Sequence, residues 1–273
     1  MKENQVLQFW NGIFPFLIFY ALAYFSTYGL IGLFPEVEPM VMQGVAQIIF
    51  IVSMMVWLKN MQKKDKIMEE LTKSDLLEKK VIHQGGYLQF PKHKMIIVFC
   101  VMVISMLFSM ALNQLIDASN LKELSPAFQA VSSSIYEPGK IQILICVGLI
   151  APAYEELMFR GVLFGQLRKS YSFLFCAVTS GLIFGGLHLN LVQFVYAFAM
   201  GYLFAFFMEE SGSVWFSIIA HVVANITSLM TTWLGSASWM FDHVLLSLLV
   251  AFVEGILGIM LLNWIKKRFK LLK

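Results

Sequence analysis

Charge is scarce in this chain. Only 14% of its 273 residues are charged, against 59% hydrophobic, and the mean hydropathy is +0.73. A soluble domain with a single core is excluded by that balance. Cysteine is nearly absent too: Cys100, Cys146 and Cys176 all fall in apolar runs without metal-type spacing, which leaves neither a disulfide framework nor a CxxC site. There is no HExxH zinc signature, no repeat of fixed period and no low-complexity tract, so the chain reads as a single membrane domain over 1–273. After the first apolar run, 10–34, come Pro35 and Glu36 instead of a small-residue cleavage site, so this run is expected to be an uncleaved span.

What is present is a series of apolar runs long enough to cross about 30 Å of hydrocarbon at about 1.5 Å per residue. They lie near 10–34, 40–58, 95–116, 139–163, 171–189, 191–208, 213–234 and 241–265. The expected fold is all-α, a polytopic bundle of about eight transmembrane helices. If both termini are cytoplasmic, Lys2, nine lysines in 59–94, Arg168, Lys169 and five basic residues in 266–273 place seventeen of the twenty basic side chains on one side. Lys122 and Lys140 fall on the other side, and Arg160 lies within a span. This bias satisfies the positive-inside rule and predicts a multi-pass protein of the cell membrane. Its basic segments face lipid, and no nucleic-acid partner is expected.

Between the spans, PEVEP at 35–39 joins the first two, and Asn11, Gln43 and Gln47 are read as interhelical hydrogen-bonders. Residues 59–94 mix nine lysines with five acids and carry Ile67, Met68, Leu71, Leu76 and Leu77 at near-helical spacing, which suggests a cytoplasmic basic connector near anionic lipid, ended by Gly85-Gly86 and Pro91. Residues 117–138 read as an outer loop. Its Ser132-Ser133-Ser134 has no histidine nearby in sequence to act as a base, so serine catalysis is discounted. Glu209 and Glu210 are expected to be solvated at a turn, and His83, His93 and His243 to be exposed.

The chemistry concentrates in 151–188, APAYEELMFRGVLFGQLRKSYSFLFCAVTSGLIFGGLH, and in SIIAHVVAN further on. An ionisable side chain at membrane depth costs at least about 2.5–3.5 kcal/mol, so each of these residues needs a partner. Glu156 and Arg160 are four apart on one helix face and can pair. Glu155 points about 100° away from Glu156 around the helix, and a low-dielectric cavity would raise its pKa toward that of a proton carrier. Gly181 and Gly185 form a small-xxx-small ridge, and Gly161 and Gly165 form a second. His221 and Asn225, at i and i+4, face one cavity. Glu254 has no basic partner at helical spacing. Two ways to hydrolyse an amide stay open at this level. In one, Glu155 and His188 activate water while His221 and Asn225 stabilise an oxyanion; in the other, Glu155, His188 and His221 hold a zinc ion. Counting about 1.5 Å per residue puts Glu156 about 18 Å, His188 nearly 30 Å and His221 about 13 Å from one face, which calls for staggered helices or a bend at Gly185-Gly186.

EELMFRG, FGGLH and HVVAN resemble, in order, the EExxxR, FxxxH and HxxxN motifs of the type II CAAX prenyl endopeptidase family, the CPBP intramembrane proteases. The resemblance covers the catalytic core helices, 139–235. It implies an eight-helix endopeptidase acting on a membrane-embedded or lipidated peptide, with Glu155 and His188 as water activators, His221 and Asn225 as stabilisers, and either a metal-dependent or a glutamate-dependent mechanism. Peptide pheromones, bacteriocin precursors and membrane-protein tails are the implied substrates. Two other classes compete with the peptidase: a bacteriocin self-immunity or sensor-binding protein acting by contact, and an ion-coupled transporter, which the missing internal repeat disfavours.

Overall fold

The structure, a computed structural model, describes residues 2–72, 88, 95–234 and 243–272. Among these residues there are nine helices and no strand: α1 Lys2–Leu33, α2 Pro39–Thr72, α3 Met95–Ala118, α4 Pro126–Tyr136, α5 Lys140–Leu167, α6 Phe173–Gly186, α7 Leu191–Ser211, α8 Val214–Leu234 and α9 Val244–Leu272. Seven are long and apolar enough to span a membrane. The fifth of the eight expected spans, 171–189, is α6, a helix of only 14 residues. Its start is fixed by Ser172, whose side chain accepts from the Phe175 amide. An all-helical architecture is what hydrocarbon demands, because no water is there to satisfy free backbone groups. Large side chains such as Phe25, Phe99, Phe252 and Met260 stand exposed on the bundle surface, where lipid covers them.

Several sequence expectations are revised. The 117–138 loop contains α4, capped by Ser125 and opened by Pro126, with Ser133 and Ser134 donating their hydroxyls back to the Ala130 carbonyl. α2 continues to Thr72, so the first part of 59–94 prolongs a span. Leu76, Leu77, His83, Gly85-Gly86, Pro91 and His93 lie outside the described residues. Asn11 is exposed, and Gln43 and Gln47 line a cavity instead of bonding between helices. His243 is exposed as expected. Glu209 is not simply solvated: Arg168 donates to both its oxygens, at 3.0 and 2.8 Å, and thereby ties the α5–α6 turn to the end of α7. Lys169 reaches Asp65 of α2 at 2.7 Å on the same side.

Two apolar clusters fill the interior. One gathers α1, α2, α5, α6 and parts of α7 and α8 around Met158, Val162, Leu163 and Ala177. The other lies between α3, α7, α8 and α9 around Ile104, Phe204, Phe207 and Phe216. α7 and α8 belong to both, and the titratable residues sit at this seam. α6 approaches α7 through its glycine ridge. A Cβ on Gly185 would stand 2.8 Å from the Phe194 carbonyl oxygen, whereas one on Gly186 would meet nothing within 4 Å. Gly185→Ala is therefore expected to force the two backbones apart at a cost of about 1–3 kcal/mol, while Gly186→Ala stays within about 1 kcal/mol of wild type or above it. Paired thermal melts in detergent would check this contrast; equal Tm values would remove the ridge as a determinant of packing.

Candidate active site

α5 changes its winding twice. Cys146–Ile150 and Leu157–Phe164 are π-helical, flanking an α-helical turn, Ala151–Glu156, that carries both glutamates. π segments leave backbone groups outside the usual ladder and recur at functional sites. Here Ala151 N–H bonds the Cys146 carbonyl, and Pro152 has no N–H to offer the Val147 carbonyl. That orphaned acceptor is taken by the Asn225 side chain, whose Nδ2 donates to it at 2.9 Å. Pro152 thus determines where Asn225 points.

Glu156 and Arg160 are completely buried. Arg160 Nη1 donates to Glu156 Oε1 at 2.9 Å, and Nη2 donates to the Gly201 carbonyl of α7 at 2.9 Å. The guanidinium carbon also lies 4.9 Å from the centroid of Phe184 and 5.4 Å from that of Phe204, so the charge is held between aromatic faces. A Cβ on residue 201 would come within 2.7 Å of Nη2, which explains the glycine. Glu156 Oε1 accepts a second bond, from His221 Nδ1 at 2.8 Å. A carboxylate takes hydrogens here, so Nδ1 carries the proton and the lone pair of a neutral His221 lies on Nε2. The His221 ring stacks on Phe204 with a centroid separation of 4.6 Å.

Glu155 faces the other way, as the helical geometry predicts. Its side chain is 24% exposed and lines a cavity of about 930 Å³, together with His188, His221 and Asn225. Glu155 Oε2 stands 3.6 Å from His221 Nε2. Two acceptors at that separation do not bond directly, and both face the cavity.

His188 lies beyond the end of α6, in the turn before α7, instead of inside a span. Its Nδ1 donates to the Phe184 carbonyl at 2.8 Å, which leaves Nε2 with a lone pair. The next residue, Leu189, adopts φ 57° while 86% exposed, a left-handed conformation that costs an L side chain about 1–2 kcal/mol. Asn190 stabilises the turn: its Nδ2 donates to the His188 carbonyl at 3.0 Å and its Oδ1 caps α7 through the Gln193 amide at 2.9 Å. Because the helix stops at Gly186, α6 rises about 21 Å. His188 therefore stands nearer the level of Glu156 than a 19-residue span would place it. What difference remains is taken up by stagger or tilt of α5 against α8, since Glu156 and His221 are in contact.

All six residues singled out in the sequence, Glu155, Glu156, Arg160, His188, His221 and Asn225, meet in this one region. Sequence reasoning missed Gly201, whose carbonyl binds Arg160, and Pro152, which frees the acceptor for Asn225. It also missed Phe204 beneath His221, and the polar wall next to the cavity. There Ser109 bonds Tyr196 at 2.7 Å, and Asn113 and Tyr196 both reach Ser228, at 3.0 and 3.2 Å. Glu254 lies away from the site and accepts from Gln114 at 3.1 Å. Glu155, His188 and His221 have the donor chemistry of a zinc site. Among the described residues, however, no three His, Cys, Asp or Glu side chains stand close enough together to hold an ion.

Residues 137–227 match the family model described as type II CAAX prenyl endopeptidase Rce1-like. The match covers a third of the chain. The protein named "Putative membrane peptidase YdiL" of Bacillus subtilis (strain 168) is 34% identical over 83 residues, which cover 30% of this chain and 34% of that relative. The chain thus matches about a third of its relative's length. No solved structure matches. The matched segment holds all six site residues, with α1 to α3 and α9 packed around it.

Two predictions separate the buried pair from the turn. Arg160→Ala strands the Glu156 carboxylate in the interior and is expected to cost about 3–5 kcal/mol, read as loss of folded protein in a detergent melt. Asn190→Ala removes a cap and is expected to cost only about 0.5–2 kcal/mol. With a cleaved substrate in hand, Asn190→Ala should lower kcat more than it raises KM, because it loosens the turn that carries His188.

Proposed function

We propose that the protein is a membrane-embedded endopeptidase that hydrolyses a peptide bond in a membrane-associated peptide, using a water held by Glu155 and the histidines. One observation carries the reading: the acceptors Glu155 Oε2 and His221 Nε2 face each other at 3.6 Å on the wall of a cavity that also receives His188 and Asn225. In this reading the water donates one hydrogen to Glu155, and its oxygen bonds to the carbonyl carbon. His188, anchored at Nδ1, accepts through Nε2 a hydrogen bond from the water's other hydrogen, which stays on the oxygen and ends in the new carboxyl group. The proton taken by Glu155 is shared with His221 Nε2, from where it stabilises the oxyanion beside the Asn225 amide. Collapse breaks the C–N bond, and that proton passes to the leaving nitrogen. Glu156 and Arg160 do not touch substrate; they hold the His221 tautomer and ring in place, as outer partners do for catalytic imidazoles elsewhere. The match to an Rce1-like family and to a relative named as a peptidase supports the same class of reaction.

The test is cleavage of a membrane-peptide library by purified protein, wild type beside Glu155→Gln, each with and without a strong chelator. Wild type is expected to cleave, Glu155→Gln to lose at least about a hundredfold in rate, and the chelator to have no effect. Inhibition by chelator reversed by added zinc would replace the metal-free scheme with the two-histidine, one-carboxylate alternative. Unchanged cleavage by Glu155→Gln would overturn the role given to Glu155.

A further inference from the structure

The cavity is one-sided. Because consecutive spans alternate in direction, the ends of the bundle can be sorted by connectivity. The α1–α2, α3–α5, α6–α7 and α8–α9 connections lie at one end; those of α2–α3, α5–α6 and α7–α8, with the end of α9, lie at the other. Among the described residues, the cavity is lined by 40–47 of α2, 113–123 at the end of α3, one face of α4 and α5 as far as Glu155. From the later helices come 188–204, α8 from His221 onward and the start of α9. All of these belong to the first end. Toward the second end the cavity stops at Glu156 and Arg160, beyond which Phe164, Phe207 and Phe216 are almost completely buried.

Charge divides along the same line. Among the described side chains, the second end holds nine basic ones, Lys59, Lys63, Lys64, Lys66, Arg168, Lys169, Lys266, Lys267 and Arg268. Among the described residues, the first end has two, Lys122, which pairs with Asp117, and Lys140, which lies 5.8 Å from the Trp233 ring centroid. We propose that the cavity opens on the membrane face opposite the lysine-rich ends, the extracytoplasmic face, so that the bond it takes belongs to a peptide segment presented there. The substrate class rests on the peptidase reading; the direction of access does not. A segment arriving from the lysine-rich face would have to pass a fully buried ion pair and the aromatic layer behind it. One arriving from the opposite face meets the rim formed by α4 and the turn before it, where Glu123 is exposed.

The chain carries its own reporter of access. Cys146 lines the cavity and is half-buried, whereas Cys100 and Cys176 are buried in the packing. The experiment is labelling with a membrane-impermeant maleimide in intact cells and in inverted membrane vesicles. It compares the wild-type chain, Cys146→Ser, and Glu123→Cys in the Cys146→Ser background as a reporter of the rim. Wild type and the Glu123→Cys variant should label in intact cells, at least several-fold above Cys146→Ser. Labelling of either only in inverted vesicles would overturn the proposal. So would a rim cysteine that labels from outside while Cys146 labels from neither side, since that outcome denies an open path. Labelling does not depend on turnover. A chain that labels from outside yet cleaves nothing in the library would defeat the peptidase reading and leave the direction of access intact.

Discussion

The structure around the cavity depends on one buried ion pair. Glu156 and Arg160 are fully removed from solvent, and their mutual attraction offsets a desolvation penalty that neither could bear alone. Each spends its remaining capacity on a different helix, Arg160 on the Gly201 carbonyl of α7 and Glu156 on His221 of α8. Three helices are therefore held at one point by directional bonds in a medium where apolar packing alone is weakly selective. Glu156 Oε2 and Arg160 Nε are buried without a hydrogen-bond partner among the described residues, so the pair is a compromise between satisfaction and placement.

Adjacent residues on one helix thereby acquire opposite duties. Glu156 is committed to the interior, and Glu155, one step further round, is left facing open space beside the lone pair of the imidazole that Glu156 orients. Backbone irregularity does the fine positioning. The π segments and Pro152 release a carbonyl for Asn225, and the left-handed Leu189 with its Asn190 partner turns the chain immediately after His188. Such departures from regular geometry persist where the surrounding packing fixes them.

Much of this was legible from side-chain spacing. Paired carboxylate and guanidinium at i and i+4, and His221 with Asn225 at i and i+4, are properties of helical geometry and survive folding unchanged. The glycine ridge at Gly181 and Gly185 behaves as its spacing suggests. What spacing could not reveal depends on which backbone carbonyls are left free and on where a helix stops. The partnership of Arg160 with Gly201 joins residues 41 apart through a main-chain atom, and no side-chain pattern announces it. The end of α6 at Gly186 was hidden because Leu187 and Leu189 follow it and the apolar run resumes at Leu191, so composition continued a span that hydrogen bonding had closed. α4 was hidden by its serines, which read as loop but return their hydroxyls to their own helix.

The shortness of α6 also acts on the membrane itself. A helix rising about 21 Å, with Leu174, Phe175 and Leu182 exposed along it, falls about 9 Å short of a typical hydrocarbon core of about 30 Å. Lipid beside that helix must pinch inward or admit water and headgroups around the turn that carries His188. A peptide drawn along this flank would leave hydrocarbon earlier than elsewhere on the bundle, and the thinned annulus would shorten the distance over which its polar backbone has to be stripped of water and carried through oil.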